Sequence, residues 1–164
     1  MAVIWSYVLA ISLHPDVQRK GQAAIDAAVE GRLPNFTDFG TIPYVDAIVN
    51  EVFRWNPITP LGVPHVARQD DYYDGHLISK GTMVFGNLWV LLRDENVYGA
   101  DTDKFIPERF ITKDGVLDTT IDMDTAFGWG RRICPGKGQQ PPDCCSYIPL
   151  TDFVLQIWPG RCYG

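Results

Sequence analysis

The sequence predicts a mainly α protein with a small antiparallel β-sheet, an α+β fold. Apolar residues recur at helical spacing in the first third of the chain, and short β-prone runs separated by turn residues follow residue 61. The chain has 164 residues, of which 46% are hydrophobic and 12% aromatic. These values are typical of a globular protein that can bury a sizeable core.

The charge balance argues against nucleic acid as a partner. The chain has 14 Lys and Arg against 20 Asp and Glu, which gives a formal net charge of -6. Binding to phosphate backbones needs a basic surface, and Arg131 and Arg132 are the only adjacent arginines in the sequence. We therefore exclude a nucleic-acid-binding function.

Three helices are predicted before residue 57. Residues 1–13 are apolar but shorter than the roughly 20 residues that span a bilayer, so we expect a buried helix and no membrane anchor in this chain. Pro15 begins a second helix that Gly31 ends. Pro43 begins a third. The apolar residues of the second helix are Val17, Ala24, Ile25, Ala28 and Val29, and those of the third are Val45, Ile48, Val49, Val52 and Phe53.

The β-prone runs cover residues 62–68, 76–79 and 82–85. Between them lie three pairs of turn residues: Asp70 and Asp71, Asp74 and Gly75, and Lys80 and Gly81. Residues 87–92 predict a short helix. Residues 95–126 show no sustained period and predict a long irregular loop, which in a compact domain is usually functional.

The four cysteines are unevenly distributed. Cys134 is isolated, whereas the other three fall in the last 21 residues. Neither a disulfide framework nor a structural zinc site is favoured, because two of the cysteines are adjacent and no C-x-x-C pair occurs. This distribution of cysteines favours a protein from a reducing compartment.

Cys134 has two interpretations. An isolated cysteine is most often a small buried hydrophobic residue. Here, however, Arg131 and Arg132 lie close in a glycine-rich turn, which favours a thiolate that acts as nucleophile or metal ligand. No local signature ties a histidine base to this cysteine. An iron whose other ligands come from a macrocycle needs only one cysteine.

Cys134 lies in the pattern F-x-x-G-x-R-x-C-x-G, which is matched by Phe127, Gly130, Arg132, Cys134 and Gly136. Upstream, E-x-x-R is matched at residues 51–54 and PERF at residues 107–110. These motifs resemble the haem-binding signature, the E-x-x-R helix and the PERF element of the cytochrome P450 family, especially of its fungal microsomal members. The resemblance covers about residues 1–137.

The resemblance implies a haem site. Cys134 would be the proximal thiolate and axial ligand of the iron in haem b, iron protoporphyrin IX. Phe127, Gly130, Arg132 and Gly136 would complete the cofactor-binding loop, with Arg132 on a propionate. His65 would contact a propionate as well, although an ordinary half-buried strand histidine explains it equally.

A structural network is implied around the E-x-x-R helix. Taken alone, Glu51 and Arg54 at i and i+3 predict a solvated pair worth about 0.2–0.5 kcal/mol. The resemblance instead implies a buried Glu–Arg–Arg network whose third member is Arg109. This network would hold the irregular segment 95–126 against the helix.

The implied function is O2-dependent monooxygenation of a small organic substrate, with electrons from an NADPH-dependent reductase. The fold would be the incomplete C-terminal part of the family fold, about the last third. Residues 58–63 would line the substrate pocket, and full-length relatives would lie on the cytosolic face of the endoplasmic reticulum membrane.

Other features predict that the isolated chain is inactive. The acid–alcohol pair that activates oxygen in the family has no counterpart here. Pro141 and Pro142 interrupt the helix expected after Cys134, so residues 138–164 are expected to be a divergent tail outside the family domain of residues 1–137. The alternatives are a non-catalytic haem-binding fragment and a truncated gene product without activity.

Overall fold

The computed structural model describes residues 2–134, except Leu33 and Phe39. Gly136 and the expected tail of residues 138–164 therefore lie outside the described residues. The five α-helices of the described part are α1 (Ala2–Leu13), α2 (Pro15–Val29), α3 (Pro43–Trp55), α4 (Leu88–Leu91) and α5 (Glu95–Tyr98), and its four strands are β1 (His65–Val66), β2 (Asp71–Tyr73), β3 (His76–Ile78) and β4 (Met83–Val84). The prediction of a helix-rich fold with a small antiparallel sheet is confirmed.

The three predicted N-terminal helices pack around one hydrophobic core. Its buried members are Tyr7, Ala10, Ile11, Val17, Ile25, Val29, Ile42, Val45, Ile48, Val52 and Phe105. Helix α1 is buried on one face only, because Trp5 remains 71% exposed. Helix α2 ends as predicted: Glu30 adopts a left-handed conformation after Val29, and Gly31 follows with φ of 86°. None of the described helices combines the length and the apolar composition that a membrane span needs.

The strands form two antiparallel pairs rather than one continuous sheet. Strand β1 pairs with β4, His65 opposite Val84, and β2 pairs with β3. Asp74 and Gly75 join β2 to β3, and both have positive φ, as a tight hairpin turn requires. The prediction that Asp71 belongs to a turn is wrong, because Asp71 pairs with Ile78 as the first residue of β2.

The segment predicted as an irregular loop contains short helices. Helix α5 begins after Asp94, whose carboxylate accepts a hydrogen bond from the Asn96 N–H at 2.9 Å. Two 3-10 helices follow, Pro107–Phe110 and Asp124–Phe127. Sequence periodicity could not reveal elements of three or four residues, since they complete no more than about one turn.

A second core lies on the other side of α3. Its buried members are Ala47, Leu88, Leu92, Tyr98 and Phe110, and partly buried residues packed against it include Met123, Ala126 and Trp129. Helix α3 thus separates the two cores and presents a third face between them. Phe53 lies on this face, where its ring centroid is 5.2 Å from that of Phe127.

Asp46, in the first turn of α3, is predicted to make stability depend on pH. Burial raises the pKa of Asp46 from 3.8 to about 6. Between these values the folded chain holds a proton that the unfolded chain releases, so stability falls as pH rises from about 4 to 6. We expect Asp46→Asn to be more stable than the original chain above pH 6 by about 1–2 kcal/mol, after allowance for solvent screening, and equal to it near pH 4.

Urea unfolding at a series of pH values measures this difference. Asp114→Asn, which removes the same charge from an exposed turn, is the matched control for net charge. An Asp46→Asn curve parallel to the original between pH 4 and 6 would contradict the assignment.

Candidate functional site

Glu51 and Arg54 form a buried ion pair on one face of α3. Both side chains are 0% exposed. The Arg54 Nε donates to Glu51 Oε2 at 2.6 Å and the Nη2 donates to Oε1 at 2.8 Å, a bidentate arrangement. The interpretation of these residues as a solvated surface pair is therefore wrong.

Arg109 joins the pair from the 3-10 helix Pro107–Phe110. Its Nε lies 3.3 Å from both carboxylate oxygens of Glu51, and its side chain is 7% exposed. Its Nη1 donates to the Tyr98 carbonyl and its Nη2 to the Asp101 carbonyl at 3.2 Å. Pro107 begins this short helix, and Arg109 is its third residue. The helix therefore places the Arg109 guanidinium beside Glu51.

Backbone groups satisfy the remaining donors and acceptors of the network. Arg54 donates to the carbonyls of Leu92, Thr102 and Lys104 at 3.1, 2.7 and 2.9 Å. The Ile106 N–H donates to Glu51 Oε1 at 2.7 Å. These bonds tie the chain between residues 92 and 109 to α3. A buried network of this kind is costly to break, because loss of one member leaves the others uncompensated.

The glycine-rich loop begins where Phe127 packs on Phe53 of α3. Gly128 and Gly130 have φ of 92° and 61°, which only glycine adopts without strain. The Cys134 N–H donates to the Phe127 carbonyl at 2.9 Å and closes the loop. Inside the closed loop, the Ile133 N–H donates to the Gly130 carbonyl at 3.2 Å.

Cys134 is a free, exposed cysteine at the end of this loop. The interpretation of Cys134 as a small buried hydrophobic residue is therefore wrong. Arg131 and Arg132 are exposed beside it. The N–H groups of Ile133 and Cys134 are used by carbonyl oxygens, so neither is available to stabilise the thiolate.

A cleft of about 470 Å³ lies between the strands and the loop. Its lining includes His65, Arg68, Val84, Phe85, Gly86 and Trp129. His65, predicted as half-buried, is exposed at the start of β1. Trp129 brings the cysteine loop to this cleft, whereas Cys134 and Arg132 are not among the lining residues.

Sequence reasoning missed two residues of the cleft, Arg68 and Trp129. Arg68 follows His65 by three positions and offers a guanidinium group at the same opening. Trp129 occupies a variable position of the motif, so the motif itself assigns it no role. The available signal was a large aromatic residue between Gly128 and Gly130, since glycines on both sides allow close backbone approach.

We predict that Glu51→Gln destabilises the chain by about 3–5 kcal/mol, because it leaves two guanidinium groups without their shared carboxylate. Glu108→Gln is the matched control. Glu108 pairs with Lys20 at 2.5 Å, but both side chains are largely exposed, so we expect a loss of about 1 kcal/mol or less. Urea unfolding midpoints measure both. Similar losses in the two variants would contradict the central position of Glu51.

Comparisons with known proteins agree on one family. The family model described as Cytochrome P450 matches residues 2–138. The chain is 53% identical over 138 residues to the cytochrome P450 monooxygenase eriA of Hericium erinaceus, which covers 84% of this chain and 26% of that protein. It is 46% identical over 140 residues to cytochrome P450 monooxygenase 98 of Postia placenta, covering 84% of this chain and 27% of that protein.

A third relative matches over a longer stretch. The chain is 41% identical over 158 residues to the cytochrome P450 monooxygenase claR of Ampulloclitocybe clavipes, which covers 96% of this chain and 29% of that protein. The chain thus spans between a quarter and a third of the length of these relatives. With the family model matching 137 of 164 residues, this chain belongs to the cytochrome P450 family.

Proposed function

We propose that this chain provides the thiolate side of a haem monooxygenase site. The observation that carries the proposal is the free, exposed thiol of Cys134 on a closed loop that packs on α3, the helix of the buried ion network. Haem bound at this thiolate would supply oxygen activation and insertion, since an axial thiolate favours O–O bond cleavage.

The residues present suit haem b in their chemistry. A single accessible thiol can ligate the iron, and exposed cationic side chains at Arg132 and Arg68 can neutralise propionates. The cleft that adjoins the loop at Trp129 does not include Cys134 or Arg132 in its lining, but its apolar walls at Val84, Phe85 and Trp129 suit one edge of a planar macrocycle. We assign Cys134 as iron ligand and Arg132 and His65 as propionate partners.

The remaining loop residues would shape the site around the thiol. Phe127 is fixed by the α3 aromatic ring beneath it and accepts the Cys134 N–H bond. Gly130, with its positive φ, lets the chain turn before the thiol. Gly136 lies outside the described residues, and its place in the motif alone supports its assignment. Glu51, Arg54 and Arg109 would act from a distance, by fixing α3 beneath the loop.

The substrate would be a small organic molecule with an apolar surface. In residues 58–63, the side chains of Ile58, Leu61 and Val63 are about half or more exposed and provide an apolar wall for such a molecule.

The proposed reaction reduces one oxygen atom of O2 to water and therefore needs electrons. These electrons would come from an NADPH-dependent reductase. We also propose that residues 1–137 form the family domain and residues 138–164 a separate tail.

A polypeptide limited to these 164 residues is proposed to bind haem without turning over substrate. The observation that favours this second candidate is the coverage of relatives, whose matching segment is about a quarter of their length. NADPH-dependent turnover, tested with a reductase, distinguishes the two candidates.

Cys134→Ser is predicted to abolish thiolate ligation of haem. The purified chain, reconstituted with haem and reduced in the presence of carbon monoxide, should show the red-shifted Soret band of a thiolate–iron–CO complex. The serine variant should lose this band, because a hydroxyl is a far weaker ligand than a thiolate. Cys145→Ser is the matched control and should keep the band. A band that survives Cys134→Ser would disprove the assignment.

Arg132→Gln is predicted to weaken haem binding about tenfold, the cost of one charge-assisted hydrogen bond. Haem dimethyl ester, which has no free carboxylates, supplies the control ligand. Titration of both ligands should show the loss for haem alone. An equal loss for haem and its ester would mean that Arg132 acts on the structure of the loop and not on a propionate. His65→Gln should follow the same pattern.

A further inference from the structure

The Trp129 ring rests directly on the backbone of Gly86. A Cβ atom built on Gly86 would lie 3.2 Å from Cε3 of the Trp129 ring and well within 3.0 Å of two other ring carbons, Cζ3 and Cη2. No side chain at residue 86 can therefore coexist with this position of the indole. Gly86 does not have a positive φ, so the steric contact and not the backbone conformation is what calls for glycine here.

A second glycine, Gly62, also lies close to the indole ring. A Cβ on Gly62 would lie 3.6 Å from the Trp129 ring and 3.0 Å from the Gly86 carbonyl oxygen. A hydrogen bond from the Trp89 N–H to the Pro60 carbonyl at 2.9 Å links the same two segments of the chain. The glycine seat, defined as Gly62 and Gly86, thus joins the chain after α3 to the chain after β4.

The loop that carries Trp129 is closed by a backbone hydrogen bond between its two ends. The bond from the Cys134 N–H to the Phe127 carbonyl spans it, and Trp129 lies between these residues. Phe127 is held on Phe53 of α3, while Trp129 is held on the glycine seat beside the strand pair β1–β4. Two anchors on different elements fix both position and rotation of a short loop, whereas one anchor would leave it free to pivot.

We propose that Trp129 is a positioning residue that sets the cysteine loop against the strand carrying His65 through the glycine seat. The proposal rests on the proposed function, because it explains how the thiol and the propionate partner are held at a fixed separation. Its consequence is a specific coupling: an alanine at residue 86 displaces the indole, and the loop moves with it. Without the indole the same alanine loses its three nearest neighbouring atoms, which are all carbons of that ring.

The first test uses the full chain without haem. The emission of Trp129 is obtained by subtracting the spectrum of Trp129→Phe from that of the original chain. The same subtraction is made in the Gly86→Ala background, where we expect the Trp129 emission to shift to longer wavelength as the indole is expelled into water. Gly21→Ala is the matched control, since its Cβ would meet Ile48 Cδ1 at 3.1 Å, in the packing of α2 against α3.

The second test uses the chain loaded with haem in a double-mutant cycle. We expect Gly86→Ala to raise the rate of haem loss about tenfold and to reduce the thiolate–iron–CO band, as overpacking displaces the loop. In the Trp129→Ala background the same substitution should change that rate by less than about twofold, because the two residues act through one contact.

The outcomes separate this proposal from the proposed function. An unshifted Trp129 emission in Gly86→Ala, or equal effects of Gly86→Ala with and without the indole, would overturn the positioning role. If the original chain forms no thiolate–iron–CO complex, the proposed function fails, and the emission test still decides whether the indole occupies the seat. A shift in Gly21→Ala equal to that in Gly86→Ala would also overturn the proposal, since any added methyl group would then move the loop.

Discussion

The buried carboxylate of Glu51 is the constraint on which the rest of this structure depends. An ion with no exposure to water is tolerated only where charges and hydrogen bonds replace its hydration. Here two guanidinium groups and the Ile106 N–H do so, and they come from two separate parts of the chain, α3 itself and residues 106–109. The Glu51 carboxylate is therefore a junction: it connects α3 to residues 106–109, a segment that has no long helix or strand of its own.

The cysteine loop gains its position from this junction indirectly. Helix α3 presents Glu51 and Arg54 on one face and Phe53 on another, so the helix that is fixed by the network also supports Phe127. The segment after α4, held by carbonyl bonds to Arg54, contributes to the core against which Trp129 packs. The Cys134 thiol stays exposed while its loop is anchored, and both properties suit its proposed role as a ligand of haem iron.

Local sequence patterns predict the longer helices and the hairpin turn, but they miss structure that depends on contacts between residues distant in the chain. Helices α2 and α3 follow from their apolar spacing and their initial prolines, and the hairpin turn from Asp74 and Gly75. Within the segment 95–126, residues 98–104 show no sequence period because their carbonyls are held by the side chains of Arg54 and Arg109, which lie elsewhere in the chain. Likewise, nothing local shows that Trp129 meets Gly86, which lies 43 residues earlier in the chain.

Native-state hydrogen exchange at the amides of Ile106 and Cys134 tests most directly whether the buried junction governs the thiol loop. The Ile106 N–H bonds to Glu51 itself, whereas the Cys134 N–H bonds to Phe127 and reports on the loop. If the junction governs the loop, Glu51→Gln accelerates exchange at both amides together, by about a hundredfold or more. Faster exchange at Ile106 with unchanged protection at Cys134 would contradict it, because the loop would then be held independently of the junction.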